Sequence, residues 1–226
     1  MAITPLMKLQ REIASCEACP RLRRHCQQIA EVKRRAYLDW EYWGKPVPSF
    51  GDEKARLLVI GLAPGAHGAN RTGQMFTGDA SGDFLFRTLH KAGFASKAQC
   101  RSKADGLKLI DAYITGAGRC APPDNKPHPD ELAKCRPYLE SELKLLKNVK
   151  AVVVLGRIAF DTYLRILRDQ GDIGRTSGYK FGHGVVHDLS PWLICSYHPS
   201  QQNTQTGRLT ERMFLDVFET ARHLLV

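Results

Sequence analysis

The sequence predicts an α/β fold, a three-layer sandwich with a central, mainly parallel four-stranded sheet flanked by helices. Three observations carry this. Four short apolar runs, each too short for a helix, are spread along the chain. Segments of helical period separate them, as parallel crossovers require. The runs are apolar at nearly every position instead of alternating, so both sheet faces must be covered. With 226 residues, 43% of them apolar, the chain can form one domain with a substantial core, spanning 1–226 and including an N-terminal cysteine-bearing segment.

Residues 4–14 read as a short helix, with Thr4 as cap, Pro5 in the first turn and Leu6, Leu9 and Ile13 on one face. It delivers Cys16 and Cys19. The stretch 21–54 is basic and aromatic and reads as helix and then loop. Its Tyr37, Trp40, Tyr42, Trp43 and Phe50 are able to stack on bases, although packing against the sheet is the commoner fate of aromatic rings. Leu57–Ile60, closed by Gly61, is the first strand. After the loop 61–80, Ser81 is the expected N-cap of a helix with Phe84, Leu85, Thr88 and Leu89 on its inner face, stopped by Gly93.

Asp111–Thr115 forms the second strand, followed by a proline-rich loop. In the next helix Leu132, Cys135, Leu139, Leu143 and Leu146 keep helical spacing despite Pro137. Ala151–Leu155 is the third strand and Ile158–Leu167 the helix after it, closed by Gly171. Residues 174–188 read as a polar hairpin or loop. The fourth strand, Trp192–Tyr197, enters the polar loop 198–208. Thr210 then caps a last helix with Met213, Phe214, Val217 and Phe218 on its buried stripe. Parallel strands share one C-terminal edge, so the loops 61–80, 116–128 and 198–208 should meet there and form one active site.

Lys plus Arg outnumber Asp plus Glu by 33 to 23, a net charge of +10 that suits a polyanion such as nucleic acid. The N-terminus lacks the uninterrupted apolar core of a signal peptide, and no run approaches the length of a membrane span. A cytosolic, monomeric protein is the expectation. Seven cysteines in a reducing compartment direct attention to metal rather than disulfides. Cys16 and Cys19 form a Cys-x2-Cys pair, and Cys120 and Cys135 a wider one. Four thiolates suit zinc or an iron–sulfur cluster alike, and Cys26 competes for one position. Cys195, inside the fourth strand, reads as a buried apolar residue.

The loop after the first strand, GLAPGAHGANRTGQMFTGDASG, contains Gly65, Gly68, Gly73, Gly78 and Gly82 after Gly61, with Pro64, so backbone can approach a ligand closely. A phosphate cradle is the plainest reading of a glycine-rich turn, yet neither GxxxxGK[ST] nor GxGxxG is present. A solvent-exposed Phe76 beside Asp79 suits a planar base better than a phosphate.

Together, this loop, the four cysteines and the C-terminal HPSQQNTQTGRLT resemble the uracil-DNA glycosylase superfamily, and specifically its family 5, the iron–sulfur-containing B type. The resemblance covers most of the chain. It implies a DNA glycosylase of base excision repair that flips a damaged nucleotide out of DNA and hydrolyses the base–sugar bond. It also implies a structural [4Fe-4S] cluster on Cys16, Cys19, Cys120 and Cys135. His198 becomes the donor to the base oxygen, and Phe76 the ring that stacks on the base. Relatives carry a polar water-positioning residue in the first motif, but Gly61, Leu62, Ala63, Pro64 and Gly65 offer none. That task passes to Asp79, with His67 and Asn125 as lesser candidates, and the competing role for Asp79 is a helix-start residue bound to backbone amides. Gly61, Ala63, Pro64 and Gly65 would wall the base pocket. Arg71, Arg119 and Arg208 become phosphate contacts, and Ser200, Gln201 and Gln202 would face DNA.

Thr115-Gly116-Ala117 lacks the asparagine with which many relatives read uracil, so hypoxanthine and modified pyrimidines are expected as further substrates. A nonenzymatic metal- or cluster-stabilised nucleic-acid-binding module is the rival reading. A two-metal phosphoesterase is disfavoured because no carboxylates are spaced to hold two cations.

Overall fold

The structure, a computed structural model, describes residues 3–226. Helix α1 (Pro5–Ala14) begins where the Thr4 hydroxyl accepts the Met7 amide, and α2 (Pro20–Val32) starts directly after Cys19. The strands are β1 (Phe50–Gly51), β2 (Leu57–Gly61), β3 (Ala112–Gly116), β4 (Ala151–Leu155), β5 (Val186–His187) and β6 (Trp192–Ser196). The remaining helices are α3 (Ala69–Thr72), α4 (Ala80–Lys91), α5 (Pro129–Leu145), α6 (Arg157–Gln170), α7 (Gln201–Gln205) and α8 (Glu211–Leu224).

The sheet order is β1-β3-β2-β4-β6-β5. The four inner strands are parallel, as expected, and β1 and β5 add short antiparallel edges that raise the count from four to six. These edges are two residues long, too short to leave a period-2 signal. Alternate strand residues supply the two faces. Leu57, Val59, Ile114, Val153 and Ile194 pack with α4 and α8 residues such as Leu85, Phe86, Phe214 and Phe218. Leu58, Ile60, Val152, Val154, Leu193 and Cys195 pack with Leu6, Leu139, Phe160 and Tyr163 from α1, α5 and α6. Among the described residues no helix is long and apolar enough to cross a membrane.

From β2 the chain places β3 on one side, and it then places β4 on the other. The reversal makes the carboxyl ends of β2 and β4 the topological switch point of the sheet, the place where such folds bind ligands. Backbone bonds close the edge there: the Ala117 amide donates to the Gly61 carbonyl at 3.0 Å and the Gly156 amide to the Ser196 carbonyl at 2.8 Å.

Two local expectations change. Asp79, not Ser81, is the N-cap of α4, because its carboxylate accepts the Gly82 amide at 3.0 Å. The segment after His198 is not an open loop: Ser200 caps the short helix α7.

Candidate active site

Phe76 sits on the β2–α4 loop with a left-handed φ of 54°, which turns its ring back over the sheet edge. A Cβ added to Gly61 would lie 2.7 Å from that ring, so this wall must be glycine. The other face of the arrangement is His198, just beyond the end of β6. Its imidazole stacks on Phe76 with centroids 6.0 Å apart and planes inclined by 29°. The ring is half-buried and has lost enough hydration to push its pKa down to about 4, so it is a neutral imidazole at physiological pH. A neutral imidazole still has one N–H to donate.

Asp79 has two tasks in one carboxylate. One oxygen, Oδ1, caps α4. The other faces the backbone of Gly65 and Gly68, and a Cβ on Gly68 would overlap it. Burial raises the Asp79 pKa, while the amides of Gly82 and Ser81 pull it back down. Asp79 is therefore the helix-start residue, with its second oxygen facing the glycine-walled loop.

The other expected site residues are distributed unevenly. Ala63 is half-buried and Pro64 buried, both on the rim. His67 places Nδ1 3.1 Å from the Tyr42 hydroxyl, and burial, followed by Arg34 and Arg71, lowers its pKa. Phe76 is half-buried instead of solvent-exposed. Asn125 is exposed on the loop after β3, with a φ of 57°. Gln201, Gln202 and Arg208 are exposed, and Arg208 lies over the Tyr197 ring at 4.7 Å. Ser200 spends its hydroxyl on the Asn203 amide.

Two expected phosphate contacts are overturned. Arg71 is 3% exposed, held between Tyr37 and Trp40 at 3.9 and 4.0 Å, and donates to the carbonyls of His67 and Gly78. Here the basic-aromatic stretch serves as a clamp on the loop between β2 and α4. Tyr42 is buried, and Trp43 and Phe50 pack on the core. Arg119 is 1% exposed and forms a 2.7 Å ion pair with Glu142, which is also fully buried. That carboxylate further accepts the Thr115 hydroxyl at 2.5 Å and the Gln10 amide at 3.3 Å, and Arg119 bonds the Ser49 hydroxyl. A fully buried arginine needs a carboxylate partner, and composition alone gives no sign of which arginine will find one.

Three of the cysteines pack together beside this rim. Cys19, Cys26 and Cys120 belong to one apolar cluster with Leu22 and Ala121, against which Ala66 of the active-site loop packs. Burial, then Cys135, pushes the Cys19 thiol up to about 11. Cys135 is raised chiefly by burial and also by Cys16, while Cys120 is raised by its hydrogen bond with Cys26, by burial and by Cys135. Cys135 is thus the cysteine that influences, or is influenced by, each of the other three expected ligands. Cys26 directs its sulfur to the Ala121 carbonyl at 3.6 Å. Arg21 grips Glu131 with two bonds of 2.7 and 2.8 Å, joining α2 to the start of α5. Among the described residues no three His, Cys, Asp or Glu side chains are grouped so as to hold a single metal ion.

Residues that sequence reasoning missed include Asn203, whose amide donates to the His198 carbonyl at 2.8 Å, and His183, which bonds the Tyr197 amide at 3.2 Å. Asn203 lies in the polar run 198–208, which has no apolar period to mark a helix. The only signal for His183 was its place between two glycines.

Residues 48–222 match the Uracil DNA glycosylase superfamily. The type-5 uracil-DNA glycosylase of Thermus thermophilus is 48% identical over 215 residues, covering 94% of each chain. That of Mycobacterium bovis is 47% identical over 222 residues, 97% of this chain and 81% of the relative. A type-4 uracil-DNA glycosylase of Pyrobaculum aerophilum is 26% identical over 197 residues, 86% of this chain and 83% of the relative. A chain matched by the superfamily across its whole sheet, and by type-5 enzymes along nearly its full length, belongs to the uracil DNA glycosylase superfamily in its type-5 branch.

Proposed function

We propose that this protein is a monofunctional DNA glycosylase that flips uracil out of DNA and hydrolyses its bond to deoxyribose, leaving an abasic site. The observation that carries this reading is the Phe76–His198 ring pair at a glycine-walled rim, with the Asp79 carboxylate on the same loop. A flipped base is planar, and Phe76 offers it a face. As the glycosidic bond breaks, negative charge gathers on the base and positive charge on the sugar. His198, neutral, donates an N–H to the base oxygen. Asp79 orders the attacking water and balances the cationic sugar. His67 and Asn125 line the approach, and Gln201, Gln202 and Arg208 supply polar and cationic groups toward DNA.

The same reading extends to substrate range. Thr115 spends its hydroxyl on Glu142, and Gly116 and Ala117 have no polar side chain, so no side-chain amide in this tract distinguishes uracil. Hypoxanthine and modified pyrimidines are therefore proposed as further substrates.

For the cysteines, the donor set fits a [4Fe-4S] cluster on Cys16, Cys19, Cys120 and Cys135. Cys16 and Cys19 precede α2, Cys120 lies on the loop after β3 and Cys135 on the buried face of α5, so a cluster held by these thiolates would cross-link the three segments. When bound, the cluster supplies no electrons to a hydrolysis and serves as a structural tie.

The test is excision from a uracil-containing oligonucleotide by the wild type and by Asp79→Ala. Cleavable abasic sites from the wild type, reduced at least about 100-fold in the variant, are expected for a lost charge-stabilising group. Equal rates would remove Asp79 from the reaction, and DNA binding without excision would favour a nonenzymatic module. Failure on every base but uracil would end the proposal of broad substrate range.

A further inference from the structure

We propose that His183 is a positioning residue that fixes the end of β6 and thereby holds His198 against Phe76. The inference rests on His198 carrying the donor role proposed above.

In β6 the Cys195 amide still pairs with the neighbouring hairpin, donating to the Val185 carbonyl at 2.9 Å. Two residues later the Tyr197 amide should find a backbone acceptor in the same direction, but the hairpin has turned away. The imidazole of His183 takes its place: Nδ1 accepts the Tyr197 amide at 3.2 Å, with the Ser196 hydroxyl 3.4 Å away. On its other side Nε2 lies 3.2 Å from the Met213 carbonyl in α8.

Both partners dictate one proton arrangement. An amide can only donate and a carbonyl can only accept, so Nδ1 bears the lone pair and Nε2 the hydrogen. The imidazole is therefore a fixed bridge from α8 to the Ser196–Tyr197 peptide, one peptide before that of His198. The Tyr197 ring packs on His183, with centroids 5.2 Å apart, and carries Arg208 on its surface. The Tyr197 carbonyl accepts the Ser196 hydroxyl at 2.9 Å, and Asn203 fixes the carbonyl of His198 itself. His183 holds the amide side of this turn and Asn203 the carbonyl side, leaving the His198 ring few options but the Phe76 face.

Nothing places His183 in contact with the reacting atoms, so its effect must pass through His198. That gives a test a merely structural residue would fail. His183→Phe keeps a ring but loses both hydrogen bonds, and its kcat on uracil-containing DNA should fall by about 100-fold, the scale of a catalytic group displaced by about 1 Å. KM should change little. His183→Asn keeps an acceptor at the Nδ1 position and should recover most of the loss. In a His198→Ala background, His183→Phe should cost almost nothing further, because the group it positions is gone.

An undiminished penalty in that background, or an Asn variant as poor as Phe, would overturn the inference. Should His183→Phe fail to fold, nitrogen NMR of the wild-type imidazole decides: a proton on Nδ1 at neutral pH would exclude the bridge. A His198→Ala variant with full activity would instead defeat the underlying assignment of His198, a separate outcome.

Discussion

The imidazole of His198 lies along the face of Phe76, 6.0 Å centroid to centroid, although 121 positions (198 minus 76, less one) separate them in the chain. Their meeting follows from parallel β2 and β6 ending at one edge with β4 between them. The pair is fragile in a specific way, because the Phe76 ring fills the space above Gly61 where any side chain would stand.

Gly61→Ala should therefore displace Phe76 and impair excision by about 10-fold or more, in line with the loss of a base-stacking contact, while binding to undamaged DNA persists. Parallel measurements of kcat/KM and of affinity for an undamaged oligonucleotide check this. Unchanged kcat/KM would mean that Phe76 does not stack on the base.

Asp79 caps α4 and is also proposed to act in the reaction, and two substitutions separate these roles. Asp79→Asn keeps an oxygen for the Gly82 amide, so folding should persist while excision is lost; Asp79→Ala should additionally cost about 1 kcal/mol through the missing cap. Because burial raises the carboxyl pKa, holding Asp79 ionised costs stability above that pKa, and the Asn variant should match or exceed the wild type at pH 7. The wild-type kcat/KM should also decline in acid at a higher pH than an ordinary aspartate would give. Denaturant titrations and a pH–rate profile report the two effects independently.

His198 is held neutral by burial, with its pKa pushed down to about 4. The unfolded chain takes up its proton near pH 6.5, earlier than the native state does on acidification, so this group's contribution to stability is complete above about pH 6.5 and is lost as the pH falls toward 4. The loss should be on the order of 1–3 kcal/mol, reduced by the partial exposure of the ring. His198→Gln should flatten that part of the stability–pH curve, as followed by urea unfolding at pH 7 and pH 5. An identical slope in the variant would show that the imidazole titrates normally.

Arg119 belongs to the core. Arg119→Ala would leave Glu142 as an unpaired buried charge and should destabilise the protein by about 3–5 kcal/mol. At temperatures where the variant stays folded, the salt dependence of DNA binding should match the wild type, whereas loss of a phosphate contact would reduce its slope by about one. Arg208→Gln, at an exposed position, should show the reverse pattern: near-normal stability and a shallower slope.

Cys135→Ser should abolish bound iron and visible absorbance and lower the melting temperature, since, among the described residues, only the Arg21–Glu131 pair would then join α5 to α2. Cys26→Ser should leave iron content and absorbance intact, because a serine hydroxyl can replace the Cys26 thiol against the Ala121 carbonyl and against Cys120. Iron analysis and an absorbance spectrum are sufficient; a full iron complement in Cys135→Ser would exclude that residue as a ligand.

Sequence alone determined the alternation of apolar strands and amphipathic helices, because a strand buried on both faces and a helix buried on one leave different periods in the chain. It therefore determined the parallel core and the shared edge of the three loops, whereas Asp79 and His198 became candidates on that edge through the resemblance to uracil-DNA glycosylases and not through any period. Residue type could not say which arginines face solvent. Arg71 and Arg119 are chemically equivalent to Arg208, and only tertiary structure places Tyr37 and Trp40 around one, Glu142 beside another and open solvent around the third. Nor could sequence give the Asp79 cap, the two-residue edge strands or the His183 bridge to Tyr197. Each depends on one donor meeting one acceptor across the fold, an event with no period to reveal it.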